Sequence, residues 1–404
     1  MRALVMTGPS QGPDRTEIRE IAEPTPGPGE VTVDVAHAGI NFLDVMARRG
    51  DPGYVAAWPY VPGKEIAGTV REVGPGVTDL FPGQRVAAFT SGGGLAEVAL
   101  ARAALTVPVP AGVPSEVAAS APLMLASALL LLTDAGRFRA GETVLVHSAS
   151  GGVGSAVARL VPALGGGRLI GTVGRPGKVA AALSAGYDAA VARHDAGVRP
   201  ETRGVAAPGA RIVPSGDVGG GASSVDAAHG IDRDVTRAGG DLAGAIRAAA
   251  GGGVDLAGAI RAAAGGGVDL AGAIQAAAGG GVDLVLDPLG TATLDLDLDV
   301  AAPGARIVLF GNAGGGAMAP LPSQARLRSG NIGVVGFSIS SLSATAPHRV
   351  AAALRRVLDL IAEGRLDVPV TEVGSLDEVP AVHQLLAEGR GEGKYAARVG
   401  RPFS

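Results

Sequence analysis

The residues best suited to chemistry lie in one short loop. Ser148–Gly154 reads SASGGVG, follows the apolar run Thr143–His147 and opens a segment with helical periodicity. Small residues at Ala149, Gly151 and Gly154 let a backbone turn sharply, bring N–H groups against a phosphate and let helix pack closely on strand. Gly152 and Val153 complete the loop. The spacing A-x-G-x-x-G is a variant of the dinucleotide fingerprint. Alone it is weak, because the chain has 65 glycines in 404 residues. A strand before it and a helix after it supply the context the motif needs; the bland alternative is a plain strand-to-helix turn.

The following run, RLIGTVGRPGK, decides which dinucleotide. It ends in Thr172, Val173, Gly174 and Arg175, with no acid to hold a ribose 2′-hydroxyl. Arg175 and Lys178 instead offer positive charge to a 2′-phosphate, unless both are simply a solvated basic strand end. NADPH is therefore expected rather than NADH. No other reactive set stands out. The chain has no cysteine, which excludes disulfides, thiolate metal sites and a cysteine nucleophile. The histidines His37, His147, His194, His229, His348 and His383 form no pair with metal-ligand spacing. Lys and Arg total 34 against 38 Asp and Glu, a net charge of −4 without a basic run, so the footprint of a nucleic-acid binder is missing. The N-terminal apolar run is too short for a signal peptide, and the longest apolar stretch, Pro122–Leu132, is too short to span a bilayer. A soluble cytoplasmic protein is expected.

The elements that must carry these residues fall into two kinds. Hydrophobic residues make up 47% and charged residues 18%, enough apolar surface for a large core. The first 120 or so residues read as short strands, at 30–36, 66–73 and 85–89, joined by Pro- and Gly-rich turns; this spacing suggests a small irregular β-barrel. From about Ser115 a buried helical stretch leads into strand, Gly-rich turn, helix and strand, a βαβ unit that signals a parallel sheet. Further strands are expected at 282–287, 305–311 and 331–337, a helix at 347–363, and short strands in the tail.

The middle of the chain repeats itself. DLAGAIRAAAGGGV occurs at 241–254 and 255–268, and again at 269–282 with Gln275 in place of arginine. The third copy runs directly into a strand and is the helix that belongs there, with Asp as N-cap and Gly as stop. VAAPGARIV at 205–213 duplicates 300–308. The duplicate has Ser215 and Asp217 where Phe310 and Asn312 stand, so it is expected to be excluded from the sheet. A period of 14 is too short for a solenoid, and residues 196–268 read as an incidental low-complexity insert.

Several segments together carry a more specific resemblance. They are AGINFLDVMARRG (38–50), VPGKEIAGTV (61–70), GVTDLFPGQRVAAF (76–89), GETVLVHSASGGVG (141–154), GVDLVLDPLG (281–290), VLFGN (308–312) and GKYAARVG (393–400). The chain resembles the zinc-independent quinone oxidoreductase, or zeta-crystallin-like, branch of the medium-chain dehydrogenase/reductase superfamily, over almost its whole length except about 196–268. The resemblance implies an α/β fold with two domains. A GroES-like β-barrel catalytic domain takes 1–120 and 337–404, and a Rossmann doubly wound parallel-sheet domain with the insert takes 121–336. The active site would lie in the cleft between them. Beyond the glycine loop, NADPH contacts are implied at Ser127, Gly152, Val153, Thr172, Arg175, Lys178, Leu289, Gly290, Phe310, Gly311, Asn312 and Phe337. Arg193 stands where relatives often have Tyr, which leaves stacking on adenine, contact with the 2′-phosphate and a surface role open.

The same resemblance implies hydride transfer from NADPH to a quinone or an α,β-unsaturated carbonyl. Asn41 and Lys64 stand where zinc-dependent relatives place Cys and His, so no metal is expected, although a description based on fold is expected to keep a zinc label. Tyr54 is the candidate proton donor, although its distance from Gly50 in the sequence is longer than usual; the alternative is a loop aromatic packing beside Trp58 and Tyr60. Asn41 is the candidate hydrogen-bond donor to a substrate oxygen, and Asp44 is expected to cap the following helix. An enoyl-thioester reductase and an NADPH-binding protein without turnover remain as alternatives. A small-molecule substrate and a homodimer are implied, with no nucleic-acid or membrane partner.

Overall fold

A computed structural model describes residues 1–193, 201–202, 270–290, 293–314 and 320–402. The first two repeat copies and the duplicate 205–213 lie outside the described residues, as does Asp269, the expected N-cap of the third copy.

The chain opens with a two-stranded antiparallel ribbon, β1 (Arg2–Met6) and β2 (Thr16–Glu20). β3 (Glu30–Ile40) follows, then helix α1 (Phe42–Arg49) and β4 (Glu65–Val73), β5 (Arg85–Phe89), β6 (Val98–Arg102) and β7 (Thr106–Pro108). In β3, Val31, Val33 and Val35 face one core, which is the alternation read from the sequence. The helical stretch is not one regular helix. It runs through α2 (Ser115–Ala118), a π-helical turn at Ala121–Leu125, α3 (Ala126–Leu130) and a second π-helical turn at Leu131–Ala135.

The second half alternates strand and helix. It contains β8 (Thr143–His147), α4 (Gly152–Ala163), β9 (Arg168–Val173), α5 (Val179–Ala185), β10 (Ala189–Ala192) and the two-residue β11 (Glu201–Thr202). After the insert come α6 (Leu270–Ala278), β12 (Val282–Asp287), α7 (Leu294–Val300), β13 (Ala301–Leu309), α8 (Gln324–Gly330) and β14 (Gly333–Gly336). α9 (Ile339–Thr345), α10 (Pro347–Ala362), β15 (Val370–Val373), α11 (Val379–Ala387) and β16 (Lys394–Arg398) complete the chain. Two differences from the sequence reading stand out. β13 starts at Ala301 rather than 305, because Ala301 pairs with Val282 across an irregularity that absorbs the Pro-Gly step. β14 is shorter than read, ending at Gly336.

β15, β16, β3, β4, β5 and β7 form the first sheet in that order, with β6 on β3. The second sheet has the order β11-β10-β9-β8-β12-β13-β14 and is parallel except for β11. Leaving out β11, this is the 3-2-1-4-5-6 order of the doubly wound dinucleotide-binding fold, whose crevice opens where β8 and β12 diverge in connection. The strands are buried on both faces: Val144 and Val146 pack with α3, α4 and α10, while Leu145 packs with α6 and α7. The third repeat copy is thus α6, and its Ile274, Ala277 and Ala278 face the sheet. The fold is α/β, a GroES-like barrel joined to a Rossmann-type domain. Leu145 is fully buried, so Leu145→Ala should destabilise the protein by about 2–5 kcal/mol in urea titration without moving the site residues.

Candidate functional site

The glycine loop is shaped by close contacts. Ser148 has φ +59°, Ala149 N–H donates to Thr172 O at 2.9 Å, and Gly151 N–H donates to Ser148 O at 2.9 Å. α4 then starts at Gly152. A Cβ on Gly154 would stand 2.6 Å from Ala149 O and 2.7 Å from Ser148 O. Its carbonyl accepts the buried Tyr187 hydroxyl at 2.8 Å. A Cβ on Gly171 would stand 2.5 Å from Ala149 Cβ, so strand and loop touch only because both residues are small. This cradle fits a pyrophosphate at the first turn of a helix, where backbone amides lack intrahelical acceptors.

Most of the remaining cofactor candidates gather at one edge. Thr172, Arg175, Lys178, Arg193, Leu289, Gly290, Phe310, Gly311, Asn312 and Phe337 all sit at or just after the C-terminal ends of β9, β10, β12, β13 and β14. Ser127 lies apart from the strand ends, buried in α3. Asp287 Oδ1 accepts Leu289 N–H at 2.6 Å and its Oδ2 accepts the Thr293 hydroxyl at 2.8 Å, which fixes the Leu289–Gly290 turn. Gly290 has φ +89°, and a Cβ there would stand 2.6 Å from Asn312 Oδ1, so the two loops close on each other. Arg175 donates to Glu388 O at 2.9 Å, Lys178 to Gly391 O at 2.5 Å, and Gly393 N–H to Ser150 O at 2.9 Å. Both cations read as phosphate partners thus hold a segment that lies against the glycine loop. Burial lowers the Lys178 pKa, with Glu392 opposing.

The barrel side holds a cluster that sequence reasoning missed. Glu65 is fully buried, and its Oε1 accepts from Asn41 Nδ2 at 2.9 Å and from Lys394 Nζ. Its Oε2 accepts Leu123 N–H at 2.7 Å and Met124 N–H at 3.3 Å. Lys394 also donates to Ile40 O at 3.0 Å and Asn41 Oδ1 at 2.8 Å. The signal available was a charge opening each of two apolar strands, EIAG and KYAA.

The Asn41 amide is engaged within the protein. Nδ2 donates to Gly39 O at 3.3 Å as well as to Glu65, so both amide hydrogens are committed. A hydrogen bond to a substrate oxygen requires one of these to break. Asp44 Oδ2 accepts Asn41 N–H at 2.8 Å and Oδ1 accepts Gly63 N–H at 3.2 Å, so it caps α1 and ties it to the strand entry. Arg48 is buried and donates to Gln11 O at 2.9 Å. Gly50 closes α1 at φ +76°. Tyr54 sits half-buried in the turn after α1; burial, then the Asp51 charge, raises its pKa. Trp58 packs edge-on against Tyr60, with ring centroids 6.5 Å apart.

The residues do not fit a catalytic zinc. Asn41 is committed to Glu65 and Lys394, and Lys64 is an ammonium that donates to Ser91 O at 3.3 Å. Among the described residues no group of His, Asp or Glu could hold a metal ion.

Two variants test this geometry. Lys394→Met leaves the Glu65 carboxylate buried and unpaired and should cost about 3–5 kcal/mol of stability by urea denaturation. Gly154→Ala forces its Cβ onto two carbonyl oxygens and should cost about 1–3 kcal/mol by the same measurement.

Residues 27–111 match the alcohol dehydrogenase GroES-like domain and residues 263–396 match the zinc-binding dehydrogenase family. The rat synaptic vesicle membrane protein VAT-1 homolog is 39% identical over 162 residues, 40% of this chain and 40% of that protein. Rat quinone oxidoreductase is 36% identical over 165 residues, 40% of this chain and 50% of that protein. The match spans about two-fifths to one-half of the length of these relatives. A mycobacterial protein solved in complex with NADPH superposes with a TM-score of 0.71 at 26% identity, covering 98% of this chain and 99% of that one. Escherichia coli quinone oxidoreductase has a TM-score of 0.70 at 23% identity, covering 98% of this chain and 100% of that one, a likeness of fold. Both domain families stand in order along the sequence on the same two-domain fold, and together they support a quinone oxidoreductase-like protein of the medium-chain dehydrogenase/reductase superfamily.

Proposed function

We propose that the protein is an NADPH-dependent oxidoreductase that reduces a quinone or an α,β-unsaturated carbonyl without zinc. The observation that carries this reading is the strand-end cradle: a Gly154 position with no room for a side chain, no acid after β9, and Arg175, Lys178 and Arg193 around the same edge. The mycobacterial neighbour solved with NADPH and the quinone oxidoreductase relative support it.

NADPH supplies the hydride when bound. The chain's part is to hold and orient. The amides of Gly152 and Val153 face the pyrophosphate, and Arg175 and Lys178 offer charge to the 2′-phosphate by exchanging the carbonyls of Glu388 and Gly391 for it. The Leu289–Gly290 turn, fixed by Asp287, and Phe310–Asn312 line the nicotinamide end. Asn41 acts by position, holding the end of β3 and the start of α1 against Glu65. Tyr54, with its pKa raised by burial, is a weaker acid than a free phenol. A quinone takes its protons from water, so this favours a quinone over an acceptor that needs a dedicated acid. A homodimer belongs to this reading, with the edge strand β14 as the available surface. No helix among the described residues is long and apolar enough to cross a membrane.

The test is NADPH oxidation with a panel of quinones, enones and crotonyl thioesters, with quenching of Trp58 reporting binding. Turnover fastest with quinones is expected, and Tyr54→Phe should leave that rate within about twofold. Lys178→Ala should raise KM for NADPH by about tenfold with kcat little changed. Quenching without turnover of any acceptor would refute the enzyme reading.

A further inference from the structure

A chain of buried polar groups runs behind the cofactor edge, and the mechanism above makes no use of it. Arg193 Nη1 donates to Thr172 Oγ1 at 2.8 Å. Thr172 Oγ1 lies 2.7 Å from His147 Nδ1, and His147 Nε2 lies 2.7 Å from Asp297 Oδ1. Thr172, His147 and Asp297 are all essentially solvent-free. They come from β9, β8 and α7, and β10 leads directly into Arg193.

The roles of the atoms follow from elementary chemistry. A guanidinium only donates, so Thr172 Oγ1 is its acceptor. With Asp297 ionised and accepting the ring's single N–H from Nε2, Nδ1 is bare and accepts the threonine hydroxyl hydrogen. Burial lowers the His147 pKa to about 4, with the Asp287 charge opposing, so the ring is neutral and carries a single N–H. That hydrogen, on Nε2, points to Asp297. The chain therefore has one direction, from Arg193 through Thr172 and His147 to Asp297. Asp287 is the other carboxyl facing this cluster: it holds the Leu289 amide and the Thr293 hydroxyl and is also a side-chain hydrogen-bond partner of Asp297, whose pKa burial raises to about 7.

Where the relay holds Arg193 matters. A Cβ built on Gly174 would have Arg193 Nη2 as its near neighbour at 3.8 Å. The guanidinium thus lies beside residue 174, at van der Waals distance from where its side chain would begin. That is the strand-end position where an acid reads a ribose 2′-hydroxyl in NAD sites. We propose that Thr172, His147 and Asp297 are positioning residues that hold the Arg193 guanidinium at the end of β9, where it discriminates a dinucleotide with a 2′-phosphate from one with a 2′-hydroxyl. Thr172 acts through Arg193 rather than by its own contact. The inference rests on the dinucleotide reading above.

Thr172→Val keeps the shape of the side chain and removes the hydroxyl, whereas Thr172→Ser keeps the hydroxyl. Calorimetric titration of the full chain with NADPH and with NADH gives the ratio of the two dissociation constants. In T172V the ratio in favour of NADPH should fall by about tenfold, and in T172S the wild-type ratio should persist. Should T172V fail to fold, Asp297→Asn probes the far end of the relay, and the ratio should fall by at least about threefold. An unchanged ratio in the folded variant, or an equal loss of both cofactors, overturns the relay. A wild-type protein that binds neither dinucleotide overturns the reading beneath it instead.

Discussion

The Glu65 carboxylate is the joint on which the two halves of this molecule depend. One oxygen faces Asn41 and Lys394, which belong to the turn after β3 and to the start of β16. The other takes the amides of Leu123 and Met124, in the first π-helical turn of the helical stretch. Three segments thus meet on two oxygen atoms of a fourth, β4. A buried carboxylate is tolerated only when its charge is balanced and its lone pairs are filled, and here both conditions are met. Such a pair contributes little net stability compared with an apolar core, but removing one partner leaves an uncompensated charge. The constraint acts on geometry: Met124 is held so that its Sδ would lie 3.2 Å from a Cβ on Gly152. The barrel's glutamate therefore sets the distance between its own strands and the glycine loop.

The N-x-x-D-x-x-x-R-x-G run at 41–50 gains a physical account from this frame. Asn41 belongs to the glutamate joint, Asp44 closes the N-terminus of α1, and Arg48 reaches under the first turn of the chain. Gly50 closes the C-terminus of α1, where a Cβ would stand 2.8 Å from Pro9 Cβ. None of the four needs to touch a substrate to explain its residue type. They fix one short helix at both ends and on its buried side, and that helix carries the loop with Tyr54, Trp58 and Tyr60.

What could be read in the sequence was what is local. The β8–α4–β9 unit was legible because an apolar strand, a glycine turn and an amphipathic helix follow one another within 35 or so residues. The glycine loop was legible for the same reason, since its function is written in consecutive small side chains. The third repeat copy was placed as a helix by its glycine stop and its lead into β12. The π-helical turns were not legible, because an Ala- and Leu-rich run has no local mark for a wider turn. The charged clusters were not legible either. Glu65 and Lys394 stand 329 residues apart, and His147 and Asp297 stand 150 apart. The antiparallel pairing of β4 and β16 with β3 brings the first pair together, and the packing of α7 on the parallel sheet brings the second. A histidine in an apolar strand reads as a satisfied core residue until its partner is known.

The segment between α11 and β16 links the loop after β9 to the Glu65 joint. Arg175 and Lys178, on the loop after β9, hold the carbonyls of Glu388 and Gly391. Gly393 N–H is held by Ser150 O, inside the glycine loop itself. The next residue is Lys394, which is locked between Glu65, Asn41 and Ile40. Within seven residues the chain passes from the phosphate end of the cradle to the centre of the barrel. Each of its anchors is a backbone group or a buried ammonium, so sliding the segment breaks several bonds together rather than one. The position of the glycine loop relative to Asn41 is thus set twice, once through Glu65 and Met124 and once through this strap. Orientation requires a fixed distance between a cradle and the groups facing it, and these two ties, which converge on Glu65 and Lys394, fix that distance between two separate sheets.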